Sequence, residues 1–377
     1  MKILRVVSEL DFGGVEQVLA ISVPYLVHSK RIEVLIVVLG KGGRVSERMI
    51  QNGFSVIVLN QATKIPNIKL VFQLKNLIRN EKPDVVHCQG SEANFHGLWA
   101  ATMADVKIKI GEEIGLPDHH SYWKWVFKWI YRKANRVIGI SEAVKNCIVE
   151  LREVKGDKVS VLYNPVSIDE KRVDFSRIPY FRKDKGNCTV DMSGKQKNNN
   201  SFVYVTTCRL VPIKNLERLI KAFSILLKVH NNKNMELWIV GDGPSKESLM
   251  QLVKQFGIQD SVKFSGFQEN VFQFLAHADV FVLPSLREGS SVALAEAMSN
   301  GLPSIVTQIG GAREVLGESH SGFLVDPFST DSILSAMLNM FELSEEERKE
   351  MGKMAKKASQ RFSIETYIED LLEVYKG

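Results

Sequence analysis

ADVFVLPSLREGSSVALAEAMSN, residues 278–300, changes its hydrophobic period midway. ADVFVLPS is a short, continuous apolar run, the pattern of a strand buried on both faces. VALAEAMSN reads as a helix, and LREGSS joins the two as a short loop. A buried strand feeding a helix through a tight loop is half of a crossover connection, and crossovers imply a parallel sheet covered by helices. In such open sheets ligands gather beyond the C-terminal strand ends, where loops lead into helix N-termini. The loop of this stretch is therefore a candidate site. It sets Glu288 beside Gly289 in the turn and Glu296 along the helix, with only small, apolar and serine residues between them.

The same alternation extends in both directions. Upstream, Ile3–Ser8, Ile32–Leu39, Ser55–Asn60, Asp84–Cys88, Lys107–Gly111, Arg136–Ile140 and Val159–Tyr163 read as strands, interleaved with helical segments such as Gly14–Leu26, Arg44–Asn52 and Ile68–Arg79. From about Asp169 to Asn200 the sequence turns polar and loses its period, as in FRKDKGNCTVDMSGKQKNNN, which reads as a linker or insertion. Alternation resumes at SFVYVTTCRL and continues through MELWIVGDGP, DSVKFSGF, ADVFVLPS, PSIVTQIG and GFLVD to a final helix, Ile364–Tyr375. The expected architecture is α/β, with two doubly wound Rossmann-like domains. Residues 1–168 form the first domain, 169–200 the linker or insertion, 201–360 the second domain, and 361–377 a C-terminal helix returning to the first.

Composition agrees with this reading. A chain of 377 residues exceeds what one core usually supports, and 45% hydrophobic with 24% charged residues describes a globular protein with a sizeable interior. There is no apolar run long enough to span a bilayer, and MKILRVVSEL reads as a strand and lacks a signal-peptide cleavage site, so a cytoplasmic location is expected. Four cysteines without CxxC spacing indicate reduced thiols, with neither a disulfide framework nor a zinc site. A net charge of +6 is mild and gives no reason to expect nucleic acid as a partner.

Amides near Ser290 and Ser291 point out of the helix start and, with its dipole, favour an anion such as a diphosphate. Glu288 and Glu296 are then placed to accept bonds from two sets of hydroxyls bracketing that anion, which describes a nucleotide sugar. Spacing alone also fits a capping or surface acid at Glu288 and a solvated helix residue at Glu296. The neighbouring loop RLVPIKN shifts the balance: Arg209 and Lys214 follow the strand VYVTTC at the matching edge, where two cations can converge on the same phosphates.

The Arg209–Lys214 loop, the turn GDGP at 241–244 and EGSSVALAE at 288–296 together resemble the retaining glycosyltransferase family 4, the glycosyl transferases group 1, of the GT-B fold. FGG at 12–14, PDVVHCQG at 83–90, VIGISEAV at 137–144 and the closing RFSIETYIEDLLEVY add to the resemblance, which spans nearly the whole chain in order. It implies two Rossmann-like domains facing across a cleft. It gives the donor diphosphate to Arg209 and Lys214, the donor sugar hydroxyls to Glu288 and the ribose to Glu296. The distal phosphate falls to amides of Gly289, Ser290, Ser291 and Val292, the base to backbone at Phe267 and Gln268, and the loop closing over the phosphate to Gly13 and Gly14. GDGP superficially opens a dinucleotide fingerprint, but Lys246 stands where its third glycine would be, so the turn at Gly241 reads as a tight structural one within the donor-binding set.

No Asp-x-Asp occurs, so no carboxylate clamp for a metal-bound donor is expected, and no metal or other cofactor beyond the nucleotide-sugar co-substrate, expected to be a UDP-sugar. Charge on the leaving group then falls to Arg209, Lys214 and a helix N-terminus. Members of the family often carry a histidine after the strand that here reads KIKIG; in this chain EEIGLPDHH follows. Either Glu113 takes that histidine's catalytic place or the loop brings His119 inward. His87 at a strand end, with His120, is expected on the acceptor side. In HSYWKWVFKWIYRKANR, Lys124, Lys128 and Arg132 recur every four residues with Tyr122, Trp125, Phe127 and Trp129 on the flanks. That 121–136 helix either meets the inner membrane surface, which suits a lipid-linked acceptor, or packs its aromatics into the core.

The function expected is a metal-independent, retaining hexosyltransferase that moves a hexose or N-acetylhexosamine onto a glycan or lipid-linked acceptor in polysaccharide or glycoconjugate synthesis. A nucleotide-sugar epimerase or hydrolase on the same fold, and a non-catalytic nucleotide-sugar-binding partner, are the alternatives.

Overall fold

The structure is a computed structural model that describes residues 1–376 apart from 12, 121, 167–200, 231–233 and 269, so the stretch 169–200 read as a linker lies outside the described residues. The chain divides into two compact units, one of Met1–Ser167 with Phe362–Gly377 and one of Ile168–Arg361.

In the first unit seven strands run β1 (Lys2–Val7), β2 (Glu33–Val38), β3 (Ser55–Val58), β4 (Val85–Gln89), β5 (Ile108–Glu113), β6 (Arg136–Gly139) and β7 (Val159–Val161). Between them lie α1 (Gly14–His28), α2 (Arg44–Gln51), α3 (Ile68–Glu81), α4 (Ser91–Met103), α5 (Tyr122–Tyr131) and α6 (Glu142–Glu150). All pairings are parallel, in the order β3-β2-β1-β4-β5-β6-β7. Strand residues alternate between two cores: Leu4, Val6 and Val86 pack toward α3, α4 and α5, while Ile3, Val7 and Val85 pack toward α1 and the last helix. The sequence supplies the helix starts as well. Asn67 caps α3 through Leu70 N and Ser141 caps α6 through Val144 N.

The second unit contains β8 (Phe202–Thr207), β9 (Met235–Val240), β10 (Val262–Gly266), β11 (Val280–Leu283), β12 (Ser304–Thr307) and β13 (Gly322–Val325). Its helices are α7 (Leu216–His230), α8 (Lys246–Phe256), the short α9 (Phe272–Leu275), α10 (Val292–Ser299), α11 (Gly311–Leu316), α12 (Thr330–Glu342) and α13 (Glu345–Ser359). The order is β10-β9-β8-β11-β12-β13, again parallel. Strand order reverses between β8 and β11, the place where an open α/β sheet presents its ligand site. The last helix, α14 (Ile364–Lys376), belongs to the first unit, where Tyr367, Ile368, Leu371 and Tyr375 join the core on the α1 side. Among the described residues no helix is long and apolar enough to cross a membrane.

Candidate active site

The loops after β8 and β11 meet at the reversal point of the second sheet. Leu286 N donates to Ile213 O at 2.8 Å, zipping one loop to the other, and Lys214 Nζ lies 2.7 Å from Glu288 Oε2. Two residues 74 positions apart in sequence thus form one ion pair, with 20% and 9% of their side chains exposed. Arg209 is exposed at the start of the first of these loops. Ser291 caps α10 by accepting from Leu294 N at 3.2 Å, so Gly289, Ser290, Ser291 and Val292 make up the helix entrance beside Glu288. The first-turn amides of such a helix have no intrahelical partners and carry the positive end of its dipole. Glu296, the fifth residue of α10, is only 8% exposed and is no solvated surface residue. Phe267 is exposed just past β10, and Gln268 is held by its Nε2 donating to Ser265 O at 2.8 Å.

Backbone templates hold these loops, and the glycines that allow them were only partly legible beforehand. Gly241, at φ 139°, lies so close to the β8 loop that a Cβ there would sit 1.9 Å from Cys208 O. Leu210 N in turn donates to Asp242 O at 2.9 Å, so the GDGP turn moulds the segment carrying Arg209. Gly310 and Gly311, which sequence reasoning passed over, do the same for Glu288. A Cβ on Gly310 would meet Glu288 O at 2.2 Å and one on Gly311 would meet Gly289 O at 2.0 Å, while Gly311 N donates to Glu288 O at 3.0 Å. The consecutive glycines after β12 were the available signal, since close backbone approach demands the absence of a Cβ.

In the first unit Gly13 is the N-cap of α1 and Gly14 its first residue, with open space where a Gly14 Cβ would be. β5 runs through Glu112 and Glu113, and strand alternation sends the two carboxylates to opposite faces. Glu113 is buried with Asn94 and accepts from the Tyr131 hydroxyl; burial raises its pKa to about 7, with the Tyr131 bond and the His119 charge opposing. His119 packs against the body of the first unit. Its Nδ1 is 2.8 Å from Glu153 Oε1 and its ring stacks on Phe127 with centroids 4.1 Å apart. Burial alone would lower its pKa, but the bond to Glu153 and the charges of Glu153, Glu113 and Asp118 outweigh that and raise it. His119 and Glu113 therefore belong to one cluster, whereas His120 stays at the surface with 82% of its side chain exposed.

His87 requires a correction. It was expected to line an acceptor surface, but it is fully buried, because β4 is a central strand continuing to Gln89 and α14 covers that face. Its Nδ1 is 2.7 Å from the Tyr375 hydroxyl and its Nε2 2.8 Å from Glu112 Oε2, beside the fully buried Arg5. Burial and the Arg5 charge lower its pKa to about 4, so it is neutral near pH 7. Its role is to join α14 to the sheet.

Helix α5 divides its aromatics. Phe127, Ile130 and Tyr131 are buried in the core, Trp123 and Val126 pack against it, and Tyr122 and Trp125 are 70% and 71% exposed. Lys128 Nζ lies 5.2 Å from the Trp125 ring and Lys133 Nζ 4.0 Å from Trp129. The helix ends at Tyr131, so Arg132 falls past its last turn.

Two doubly wound units, the second with a Lys214–Glu288 ion pair at its reversal point, define an α/β fold with a candidate ligand site at that switch point. Comparison with known proteins gives the family. Residues 190–358 match the family described as glycosyl transferases group 1, and residues 12–170 match glycosyltransferase family 4. The UDP-Gal:alpha-D-GlcNAc-diphosphoundecaprenol alpha-1,3-galactosyltransferase of Escherichia coli is 27% identical over 284 residues, covering 73% of this chain and 71% of that protein. A Campylobacter jejuni N-acetylgalactosamine-N,N'-diacetylbacillosaminyl-diphospho-undecaprenol 4-alpha-N-acetylgalactosaminyltransferase is 23% identical over 98% of both chains. The crystal structure of Anabaena Alr3699/HepE in complex with UDP shares the fold, with a TM-score of 0.79 and 20% identity over 99% of both chains. The chain belongs to glycosyltransferase family 4, with the GT-B fold.

Proposed function

We propose that this enzyme transfers a hexose or N-acetylhexosamine from a UDP-sugar to a glycan or lipid-linked acceptor, with retention and without a metal ion. The observation that carries the reading is the Lys214–Glu288 pair at the entrance of α10. It sets a cation for the leaving diphosphate beside a carboxylate for the sugar hydroxyls. UDP in the HepE structure and diphospho-undecaprenol in the names of two relatives support the choice of donor and acceptor class.

In this account Arg209, Lys214 and the amides from Gly289 to Val292 hold the diphosphate and stabilise charge on it as the sugar C1–O bond lengthens. Glu288 orients the sugar ring through its hydroxyls, Glu296 accepts from the ribose, and backbone at Phe267 and Gln268 seats the uracil. The acceptor hydroxyl attacks C1 from the face the phosphate leaves. Its oxygen forms the new C1–O bond, its proton passes to the departing phosphate oxygen, and UDP is released. Glu113, buried at the end of β5, and His119, half-buried in the loop that follows, are assigned a catalytic role. The absence of an Asp-x-Asp sequence supports metal independence, and transfer should survive EDTA.

A thermal-shift panel of UDP-, GDP- and ADP-sugars tests the donor. A ligand at a hundred times its Kd adds about 2.7 kcal/mol of stability, so the UDP-sugar should stand out, and a response to none of them refutes the proposal. For location, the exposed Tyr122 and Trp125 with Lys124 and Lys128, on a helix without acidic residues, support a peripheral contact with an anionic membrane surface. Co-sedimentation with phosphatidylglycerol vesicles should fall on Trp125→Ala; equal sedimentation of both proteins rejects that contact.

A further inference from the structure

Lys214 reaches Glu288 from a short loop, and a loop is a poor platform for a cation that must be placed within a fraction of an ångström. The residue after it supplies the rigidity. Asn215 is 7% exposed and adopts the left-handed conformation, φ 59° and ψ 31°. Asparagine tolerates that conformation, as glycine does. Its side chain does more than tolerate it. Nδ2 donates to Pro284 O at 2.9 Å, directly after β11, and to Pro327 O at 2.7 Å, shortly after β13. Oδ1 accepts from Arg218 Nη1 at 3.0 Å, and the same nitrogen also donates to Pro327 O at 2.9 Å. Both amide protons and the carbonyl oxygen are thus engaged. Three strand ends that are remote in sequence, those of β8, β11 and β13, are tied at one side chain adjacent to Lys214.

We propose that Asn215 is a positioning residue of the donor site: its side-chain amide, braced by Arg218, fixes the Lys214 loop to the Glu288 loop and so places the Lys214 ammonium on the diphosphate. The inference rests on the donor-site reading of Lys214 and Glu288. It separates two roles that the αL backbone alone would confuse. If Asn215 served only to permit the turn, glycine would do as well, since glycine adopts the same φ without strain and without any side-chain bond. Aspartate would keep an acceptor for Arg218 but set carboxylate oxygens against two carbonyl oxygens.

The test is UDP titration by calorimetry on the intact protein, with melting temperature and turnover measured alongside, for Asn215→Gly, Arg218→Met, Lys214→Met and the Asn215→Gly/Lys214→Met double variant. Removing the buried hydrogen bonds to Pro284 O and Pro327 O, with the one accepted from Arg218, should weaken UDP binding about tenfold in Asn215→Gly. Arg218→Met should weaken it in the same direction but less. Misplacement of the cation should lower kcat/KM by up to about a hundredfold. Because the effect passes through Lys214, Asn215→Gly should cost no further UDP affinity in the Lys214→Met background. UDP affinity unchanged in Asn215→Gly while Lys214→Met loses it overturns the positioning role, even if the melting temperature falls. So does an additive loss in the double variant. UDP affinity unchanged in Lys214→Met overturns the donor-site reading itself, and the inference with it.

Discussion

Glu288→Gln removes a charge and almost no volume, so it isolates what the carboxylate does. The contact it alters is 2.7 Å long, and both side chains are largely shielded, at 20% and 9% exposed. An exposed pair would be worth at most about 1 kcal/mol, whereas a shielded hydrogen bond between charged groups is worth about 1.5–3 kcal/mol. Glutamine keeps an acceptor for Lys214 Nζ, so the expected loss is about 1 kcal/mol. For a chain of 377 residues, with an unfolding entropy of about 2.1 cal/mol/K per residue, that corresponds to a fall in melting temperature of about 1–2 °C. Lys214→Met should cost a similar amount, and the double variant should lose little beyond either single one. Nucleotide affinity goes the other way. With the carboxylate gone, the Lys214 ammonium has one competitor fewer, so UDP binding in calorimetry should be equal or tighter. Turnover should nonetheless fall by roughly a hundredfold or more, because a group oriented toward charge developing at the sugar is lost only in the transition state. A Glu288→Gln enzyme that binds UDP as weakly as Lys214→Met, yet keeps its kcat, would refute this division of labour.

Glu296→Gln should weaken free UDP about tenfold or more while changing kcat little, since a charged hydrogen bond to ribose, worth about 1.5–3 kcal/mol, is present in both ground and transition states; steady-state kinetics with calorimetry separates the two. Gly311→Ala forces a Cβ to within 2.0 Å of Gly289 O, so the Glu288 turn must move: kcat should fall by about a hundredfold, and the overpacking should cost about 1–3 kcal/mol of stability, read as a lowered melting temperature. Glu113 binds its proton more tightly in the folded chain, at a pKa of about 7 against 4.5, so folding stability should decline as pH rises from about 4.5 to 7. The raised pKa of His119 acts in the same direction, its contribution being lost above its folded value. His87, whose pKa is lowered to about 4, opposes this by gaining stability as pH rises toward 6.5, so the sign of the net slope does not isolate Glu113. The comparison of wild type with Glu113→Gln does: the wild-type melting temperature should fall relative to the variant's as pH rises from about 4.5 to 7, and a constant difference between the two would clear Glu113 of the effect.

Much of the fold was legible because strand and helix periods are local. Apolar runs such as VFVL and the helical segments between them declare a parallel sheet without reference to anything distant. The apposition of Lys214 and Glu288 was legible for a related reason, since both follow strands that adjoin the reversal point. Residues whose task depends on distant backbone were not. Asn215 is an ordinary turn residue until Pro284 and Pro327 arrive beside it, and Gly310 and Gly311 are loop glycines until the Glu288 turn presses on them. His87 was misplaced on the same account. Nothing near it in sequence announces that α14, nearly 300 residues later, covers that face and supplies Tyr375 at 288 positions' separation.

Transfer itself is the most direct test. Membranes containing undecaprenyl-diphosphate-linked sugars would be incubated in EDTA with radiolabelled UDP-hexoses and UDP-N-acetylhexosamines, and the label followed into the solvent-extractable lipid fraction. The account predicts that the wild-type protein moves label from one of these UDP-sugars into that fraction, released UDP matching it mole for mole, and that Lys214→Met and Glu288→Gln largely fail to do so. Label recovered only as free sugar, or transfer at the wild-type rate by both variants, would contradict it.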